Sequence, residues 1–193
     1  AREDGLLMDS GSRAFYCECF NVSTNYAALR IGGANTEIRY CLGYSTLDFG
    51  IEVGTGNPKG IYNCTGINET GSYGGRFSNI DEIKDSSFTS ITGSGGAWCS
   101  ASDVLIDSCI FKVEIASSFR RAFYDSSSTG IVRVYNSLVE TAGSGAGNDS
   151  MLFTSGRTVY LANNRLRGGN GINNINGNSQ TTVADSTGNI ILD

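Results

Sequence analysis

Ile61-Tyr62-Asn63-Cys64-Thr65-Gly66 places an apolar residue three positions ahead of a small thiol, with an asparagine between, and the same arrangement recurs along the chain. Written out, it is apolar, any residue, Asn/Asp/Tyr, Cys/Ser/Asn, any residue, then apolar or Gly. Upstream copies are Ala14-Phe15-Tyr16-Cys17-Glu18-Cys19 and Ile38-Arg39-Tyr40-Cys41-Leu42-Gly43. Downstream come Ile83-Lys84-Asp85-Ser86-Ser87-Phe88, Leu105-Ile106-Asp107-Ser108-Cys109-Ile110, Val134-Tyr135-Asn136-Ser137-Leu138-Val139, Leu161-Ala162-Asn163-Asn164-Arg165-Leu166 and Val183-Ala184-Asp185-Ser186-Thr187-Gly188. The fourth residue falls at 17, 41, 64, 86, 108, 137, 164 and 186, giving intervals of 24, 23, 22, 22, 29, 27 and 22. The copy at 108 also fits one residue later, since Ile106 and Phe111 suit the pattern too. A repeat of this length is the mark of a solenoid, whose coils stack to bury a shared core.

Inward positions alternate along a strand. The first apolar residue and the Cys/Ser residue lie three apart, so both face inward only if the chain bends at the residue before the Cys/Ser. That residue is Asn or Asp in six of the eight copies, and these types best tolerate the left-handed conformation after glycine. A second strand precedes each copy: Leu6-Leu7-Met8, Leu29-Arg30-Ile31, Ile51-Glu52-Val53, Gly75-Arg76-Phe77, Ala97-Trp98-Cys99, Ala122-Phe123-Tyr124, Met151-Leu152-Phe153 and Asn173-Asn174-Ile175. The middle residues form an outward column of Leu7, Arg30, Glu52, Arg76, Trp98, Phe123, Leu152 and Asn174. With a third short strand in the remainder, the expectation is an all-β, right-handed parallel β-helix of about eight coils of 22–29 residues, with 1–193 as a single domain.

Cys17, Cys41 and Cys64 occupy one column, continued by Ser86 and Ser108, which predicts an interior ladder of small side chains with free Cys acting as a small hydrophobe. Disulfide pairing among the six cysteines is the alternative. Zinc is the weakest reading, because the chain has no His and only Cys17-x-Cys19 as a close pair. The two long intervals predict bulged loops at Asp125-Ser126-Ser127-Ser128-Thr129-Gly130 and Ala142-Gly143-Ser144-Gly145-Ala146-Gly147-Asn148. They should be neighbours, with Phe119, Arg120 and Arg121 beside the first.

Composition agrees with this reading. Hydrophobic residues make up 39%, enough for a core, and 26 glycines against one proline, Pro58, suit many tight bends between hydrogen-bonded strands. Fourteen Lys and Arg against 19 Asp and Glu leave a net charge of −5, which disfavours nucleic acid as a partner. There is no apolar run long enough to suggest membrane insertion, and Ala1-Arg2-Glu3-Asp4-Gly5 lacks the pattern of a signal peptide.

The copies, stacked from Leu6 to Ile191, resemble the pectate-lyase-like β-helix repeat, above all as it occurs in phage tailspikes and tail receptor-binding proteins. The resemblance implies a virion-tail or extracellular protein that recognises host-surface polysaccharide without a cofactor. It also implies a homotrimer in contact with other tail proteins. Similar coils occur in polysaccharide lyases, glycoside hydrolases and bacterial surface adhesins, so a polysaccharide-degrading enzyme and an adhesin stand as alternative expectations. Ala1 begins within a coil and Ile190-Ile191-Leu192 ends on an apolar strand, so the sequence reads as a segment of a longer chain or a stack capped by partners.

In the outward column Arg30, Glu52 and Arg76 alternate in sign across three coils, and Trp98 follows. With Arg120 and Arg121 these are the candidate glycan-binding residues, since aromatic faces stack on sugar rings and guanidinium forks bind carboxylates or hydroxyls. The competing account is a cross-strand charge ladder worth about 0.2–1 kcal/mol per pair. No catalytic residue is assigned. Glycosidases need two carboxyls, which Asp81 with Asp103, or Asp85 with Asp107, could supply from adjacent coils, and Glu52 and Glu114 are further carboxylates. Asn-x-Ser/Thr sequons at Asn21, Asn63, Asn68 and Asn148 read as incidental in an Asn/Ser/Thr-rich chain.

Overall fold

In the computed structural model the described residues are 5–22, 26–115, 120–142, 148–153, 156–168, 175–177 and 182–192, with side chains described through 168 and at 187–190. Strands β1 (Leu6–Met8) to β24 (Ile190–Leu192) form three eight-stranded parallel sheets. Every third strand joins the same sheet: β1, β4 (Leu29–Ile31) and β7 (Ile51–Val53) begin sheet A, β2 (Arg13–Phe15), β5 (Glu37–Arg39) and β8 (Gly60–Tyr62) sheet B, and β3 (Glu18–Asn21), β6 (Leu42–Ser45) and β9 (Thr65–Asn68) sheet C. The chain is a parallel β-solenoid, and among the described residues it contains no helix. About six turns are complete. The last two copies add strands to every sheet, but their connections lie largely outside the described residues.

The triplets build sheet A, and each repeat motif straddles a corner, entering it in sheet B and leaving it in sheet C. At that corner Tyr16, Tyr40, Asn63, Asp85, Asn136 and Asn163 hold φ of 56, 54, 52, 50, 52 and 56°. In the fifth copy the bend is Ser108 (φ 54°) rather than Asp107, so the later register holds, with Ile106 beside Ile83 and Phe111 beside Phe88. In the last copy the bend is Gly188 (φ 64°), three residues beyond Asp185. There Val183 pairs with Val159 and a bulge follows, so Ser186 rather than Val183 lies beside Leu161.

The small column therefore reads Cys17, Cys41, Cys64, Ser86, Cys109, Ser137, Asn164 and Asn189. After the left-handed residue, a column N–H points along the solenoid at the next coil's side chain. Cys41 N donates to Cys64 Sγ at 3.4 Å, Cys64 N to Ser86 Oγ at 3.1 Å and Cys109 N to Ser137 Oγ at 3.1 Å. Ser137 N donates to Asn164 Oδ1 at 2.9 Å and Asn164 N to Asn189 Oδ1 at 3.0 Å. The position thus selects a small side chain that accepts a hydrogen bond, because an alanine would orphan a buried N–H. All six cysteines are free and all but Cys17 are buried. Burial pushes the thiols of Cys99 and Cys109 up to about 12, so both stay neutral in the core.

Beside this ladder Phe77, Phe88, Phe111, Phe123 and Phe153 run up the axis, with successive ring centroids 4.8, 5.7, 5.1 and 6.0 Å apart. Each such burial stabilises by about 1.5–3 kcal/mol. A second polar ladder of Asn21, Ser45, Asn68 and Ser90 closes the corner from sheet C back to sheet A. Its side chains satisfy the turn: Ser45 Oγ accepts from Asp48 N at 3.0 Å and Asn68 Oδ1 from Ser72 N at 3.1 Å. Three of the four sequon asparagines, Asn21, Asn68 and Asn148, are buried, and Asn63 alone is exposed, at its bend.

The first long interval does not bulge where expected. Residues 126–130 form a five-residue turn between β16 (Arg121–Asp125) and β17 (Ile131–Tyr135), no longer than 32–36 in the second coil. Its extra length lies instead in 114–120, between β15 (Ile110–Val113) and β16. The second falls between β18 (Leu138–Thr141) and β19 (Asp149–Phe153), as expected. Both connections occupy the corner from sheet C to sheet A and adjoin, since Arg120 N donates to Asn148 Oδ1 and Asp149 N to Arg120 O, each at 2.9 Å. Phe119 and residues 143–147 lie outside the described residues.

Candidate functional site

Sheet A carries the outward column. Arg30, Glu52, Arg76 and Trp98 are register partners in β4 (Leu29–Ile31), β7 (Ile51–Val53), β10 (Tyr73–Phe77) and β13 (Gly95–Cys99). Parallel pairing sets them about 4.8 Å apart. Glu52 lies between two guanidiniums, its Oε2 3.4 Å from Arg30 Nε and its Oε1 3.2 Å from an Arg76 terminal nitrogen. Arg76 in turn lies over two rings, its guanidinium carbon 4.4 Å from the Trp98 centroid and 5.2 Å from that of Phe49. Held by a carboxylate and two π faces, the Arg76 side chain still keeps 33% of its surface exposed. Trp98 is fixed as well, its indole N–H donating to Ser126 Oγ at 2.6 Å.

Higher on the column the reading shifts by one. Tyr124, not Phe123, pairs with Trp98, because Asp125 rather than Tyr124 stands opposite Cys99. Phe123 is consequently in the core, fully buried. Leu152 follows Tyr124 as expected, and Asn176 is the register partner of Leu152. Asn174 lies outside the described residues.

A second column, Phe49, Tyr73, Gly95, Arg121 and Asp149, runs beside the first. Sequence reasoning missed Phe49, Tyr73 and Tyr124 as members of the face because period two fails there. In β10 both Gly74 and Gly75 point inward between Tyr73 and Arg76. Gly74 is pressed against sheet C, where a Cβ would come within 2.5 Å of Thr89 N. The available signal was Gly74, matched one coil on by Gly96, since only glycine permits so close an approach.

Arg121 belongs to the same face. Its guanidinium carbon is 5.1 Å from the Tyr124 ring, its Nε 4.0 Å from Asp149 Oδ2, and the nearby Tyr73 ring is 6.3 Å from Trp98. Burial pushes the Tyr73 phenol up against the opposing pull of Arg121. Arg120 is half-buried at the adjoining corner. The Nε groups of Arg76, Arg120 and Arg121 are buried and have no hydrogen-bond partner among the described residues. The fold thus brings Arg30, Glu52, Arg76, Trp98 and Arg121 onto one surface, with Arg120 at its rim.

No family model, curated protein or solved structure matches the chain. The chemistry must be read from the side chains. The partly exposed arginines of sheet A, held among rings and carboxylates, suit a ligand with both apolar faces and hydroxyl or carboxylate oxygens. The candidate carboxyls other than Glu52 lie elsewhere. Asp81 and Asp103 line a shallow groove of about 210 Å³ with Asn57, Asn79 and Ser102, at the corner between sheets A and B. There Asp103 Oδ1 accepts from Ile131 N at 2.7 Å. Asp85 is a bend residue and Asp107 accepts from Asn136 Nδ2 at 2.8 Å, so that pair serves the corners. Glu114 is exposed and pairs with Lys112 at 3.5 Å.

Proposed function

We propose that the chain is a structural and receptor-binding segment of a viral tail spike or fibre, and that it recognises a host-surface glycan through sheet A. The observation that carries the reading is the row Arg30, Glu52, Arg76 and Trp98, in register on a rigid sheet. A glycan chain alternates apolar C–H faces with hydroxyls. The row and its neighbours offer Trp98, Tyr73 and Tyr124 to the first, and Arg30, Arg76 and Arg121 to the second or to carboxylates. Because each arginine is already held by a ring or a carboxylate, little side-chain freedom is lost on binding. The resemblance to tailspike repeats supplies the setting of the proposal: a homotrimer, joined to other tail proteins in the virion.

The test is retention of the protein on immobilised capsule or lipopolysaccharide preparations. Retention at least tenfold weaker for Arg76→Ala and Trp98→Ala is the expected result, whereas unchanged retention in both variants would remove sheet A as the site. The groove holding Asp81 and Asp103 favours a second reading, a glycan-cleaving enzyme. Release of oligosaccharides, abolished by Asp81→Asn or Asp103→Asn, would put that reading in place of pure binding.

A further inference from the structure

A second surface departs from the repeat. The left-handed bend between sheets B and C is occupied by Asn63, Asp85, Ser108, Asn136, Asn163 and Gly188, all small or polar. In the first two coils it is occupied by Tyr16 and Tyr40, at φ of 56° and 54°. A bulky aromatic is among the least comfortable residues in that conformation, and an observed strained residue points towards function. The two rings stack on each other, 5.0 Å between centroids and 6° between planes. They do so in solvent: Tyr16 is 77% exposed and Tyr40 48%. Beside them runs a groove of about 310 Å³ whose other walls include Glu18, Leu42, Asn63 and Thr65.

We infer that this groove is a binding site for an uncharged oligosaccharide, separate from the sheet A face and independent of it. The tyrosine rings offer apolar surface to the C–H face of a pyranose. Glu18 accepts hydroxyl hydrogens strongly, and Asn63 and Thr65 both donate and accept. The Glu18 carboxylate also repels uronates and other acidic sugars, and among the described residues no arginine lines the groove. That excludes the carboxylate-bearing sugars that the arginines of sheet A would also accept. Both tyrosines come from successive coils about 4.8 Å apart, a step comparable with one sugar unit of an extended chain. The groove runs along the solenoid, from Tyr16 to Asn63, so the ligand is a chain lying parallel to the axis.

The test uses the whole chain and an immobilised array of neutral hexose, pentose and N-acetylhexosamine oligosaccharides, read beside melting temperature. The key variant is Tyr16→Asn/Tyr40→Asn, which installs the residue type the bend prefers. The expected result is binding to at least one neutral oligosaccharide, at least tenfold weaker in this variant and in Glu18→Gln, and unchanged in Lys112→Ala, which lies outside both surfaces. Melting of the double asparagine variant should be equal to or higher than that of the parent. Absence of binding to every neutral oligosaccharide would overturn the inference. So would full binding by the double variant, or a lowered melting temperature with binding intact, which would mark the stacked rings as a stabilising device. Self-association of the parent in sedimentation velocity, lost in the double variant while oligosaccharide binding is absent, would reassign the tyrosines to a contact between copies of the chain.

Discussion

Arg157 Nε stands 2.7 Å from Asp125 Oδ2, and neither side chain touches solvent. The same guanidinium donates to the carbonyls of Ser102 and Thr129, so one side chain from the seventh copy ties down the corner between sheets A and B in the two coils before it. Burial pushes the Asp125 carboxyl up, while Arg157 and the Ser127 N–H oppose that shift. A buried pair of this kind adds little over an apolar replacement, yet removing one partner strands the other charge. Arg157→Met or Asp125→Asn alone is therefore expected to cost about 3–5 kcal/mol in urea unfolding. The double replacement Asp125→Asn/Arg157→Met should cost clearly less than the sum of the singles. Strict additivity would show that the two groups do not depend on each other.

Because Ser126 holds the Trp98 indole and Thr129 holds Arg157, the turn 126–130 is part of the fold rather than a dispensable loop. Deleting Ser126 to Thr129 should lower the unfolding midpoint and weaken any binding that depends on Trp98. A shortened variant as stable as the parent would show that these two contacts contribute nothing.

The small column makes a demand that the chemistry of its members can test. Ser137→Ala removes the acceptor of the buried Cys109 N–H, at an expected cost of about 1–3 kcal/mol. Ser137→Asn keeps an acceptor of the kind that Asn164 supplies one coil on, and should cost less. Equal unfolding midpoints for the two variants would show that size, not hydrogen bonding, selects the residue.

Thiol labelling should separate the cysteines. Cys17 is half-buried, so it is expected to react with a water-soluble thiol reagent before Cys19, Cys41, Cys64, Cys99 and Cys109, which react only after denaturation. Six equally fast thiols without denaturant would mean that the inward register is wrong, since a one-residue slip turns a strand inside out.

Alkaline pH should destabilise the fold through its buried thiols. An unfolded cysteine ionises near pH ~8.5, whereas Cys99 and Cys109 resist until about 12. Between these values the native state holds more protons than the unfolded one, so the contribution is fully present below pH ~8.5 and is lost as pH rises towards 12. Each thiol should contribute up to about 1.4 kcal/mol of lost stability per pH unit in that window. Urea midpoints compared at pH 8 and pH 10.5 (roughly the two sides of the thiol transition) should differ by less in Cys99→Ala/Cys109→Ala than in the parent. An equal difference would assign the alkaline loss to other groups.

What the sequence determined by itself was whatever each coil must repeat. The left-handed corner favours Asn, Asp or Gly, so the bends at Asn63, Asp85, Asn136 and Asn163 were visible. The interior needs small acceptors beside it, so the column of Cys41, Cys64, Ser86 and Ser137 was visible as well. Arg30, Glu52, Arg76 and Trp98 could be aligned because the coils that carry them differ little in length. Only the tertiary structure decided where neighbouring coils of different length come into register. It moved the fifth bend to Ser108 and the last to Gly188, turned Phe123 inward and Tyr124 outward, and let Gly74 sink against sheet C so that Tyr73 joins the arginine face. It also brought Arg157 to Asp125, 32 residues away in sequence. Local conformation is dictated by each residue and recurs with the repeat. Opposition between coils depends on the summed lengths of the turns in between, which no single copy of the motif contains.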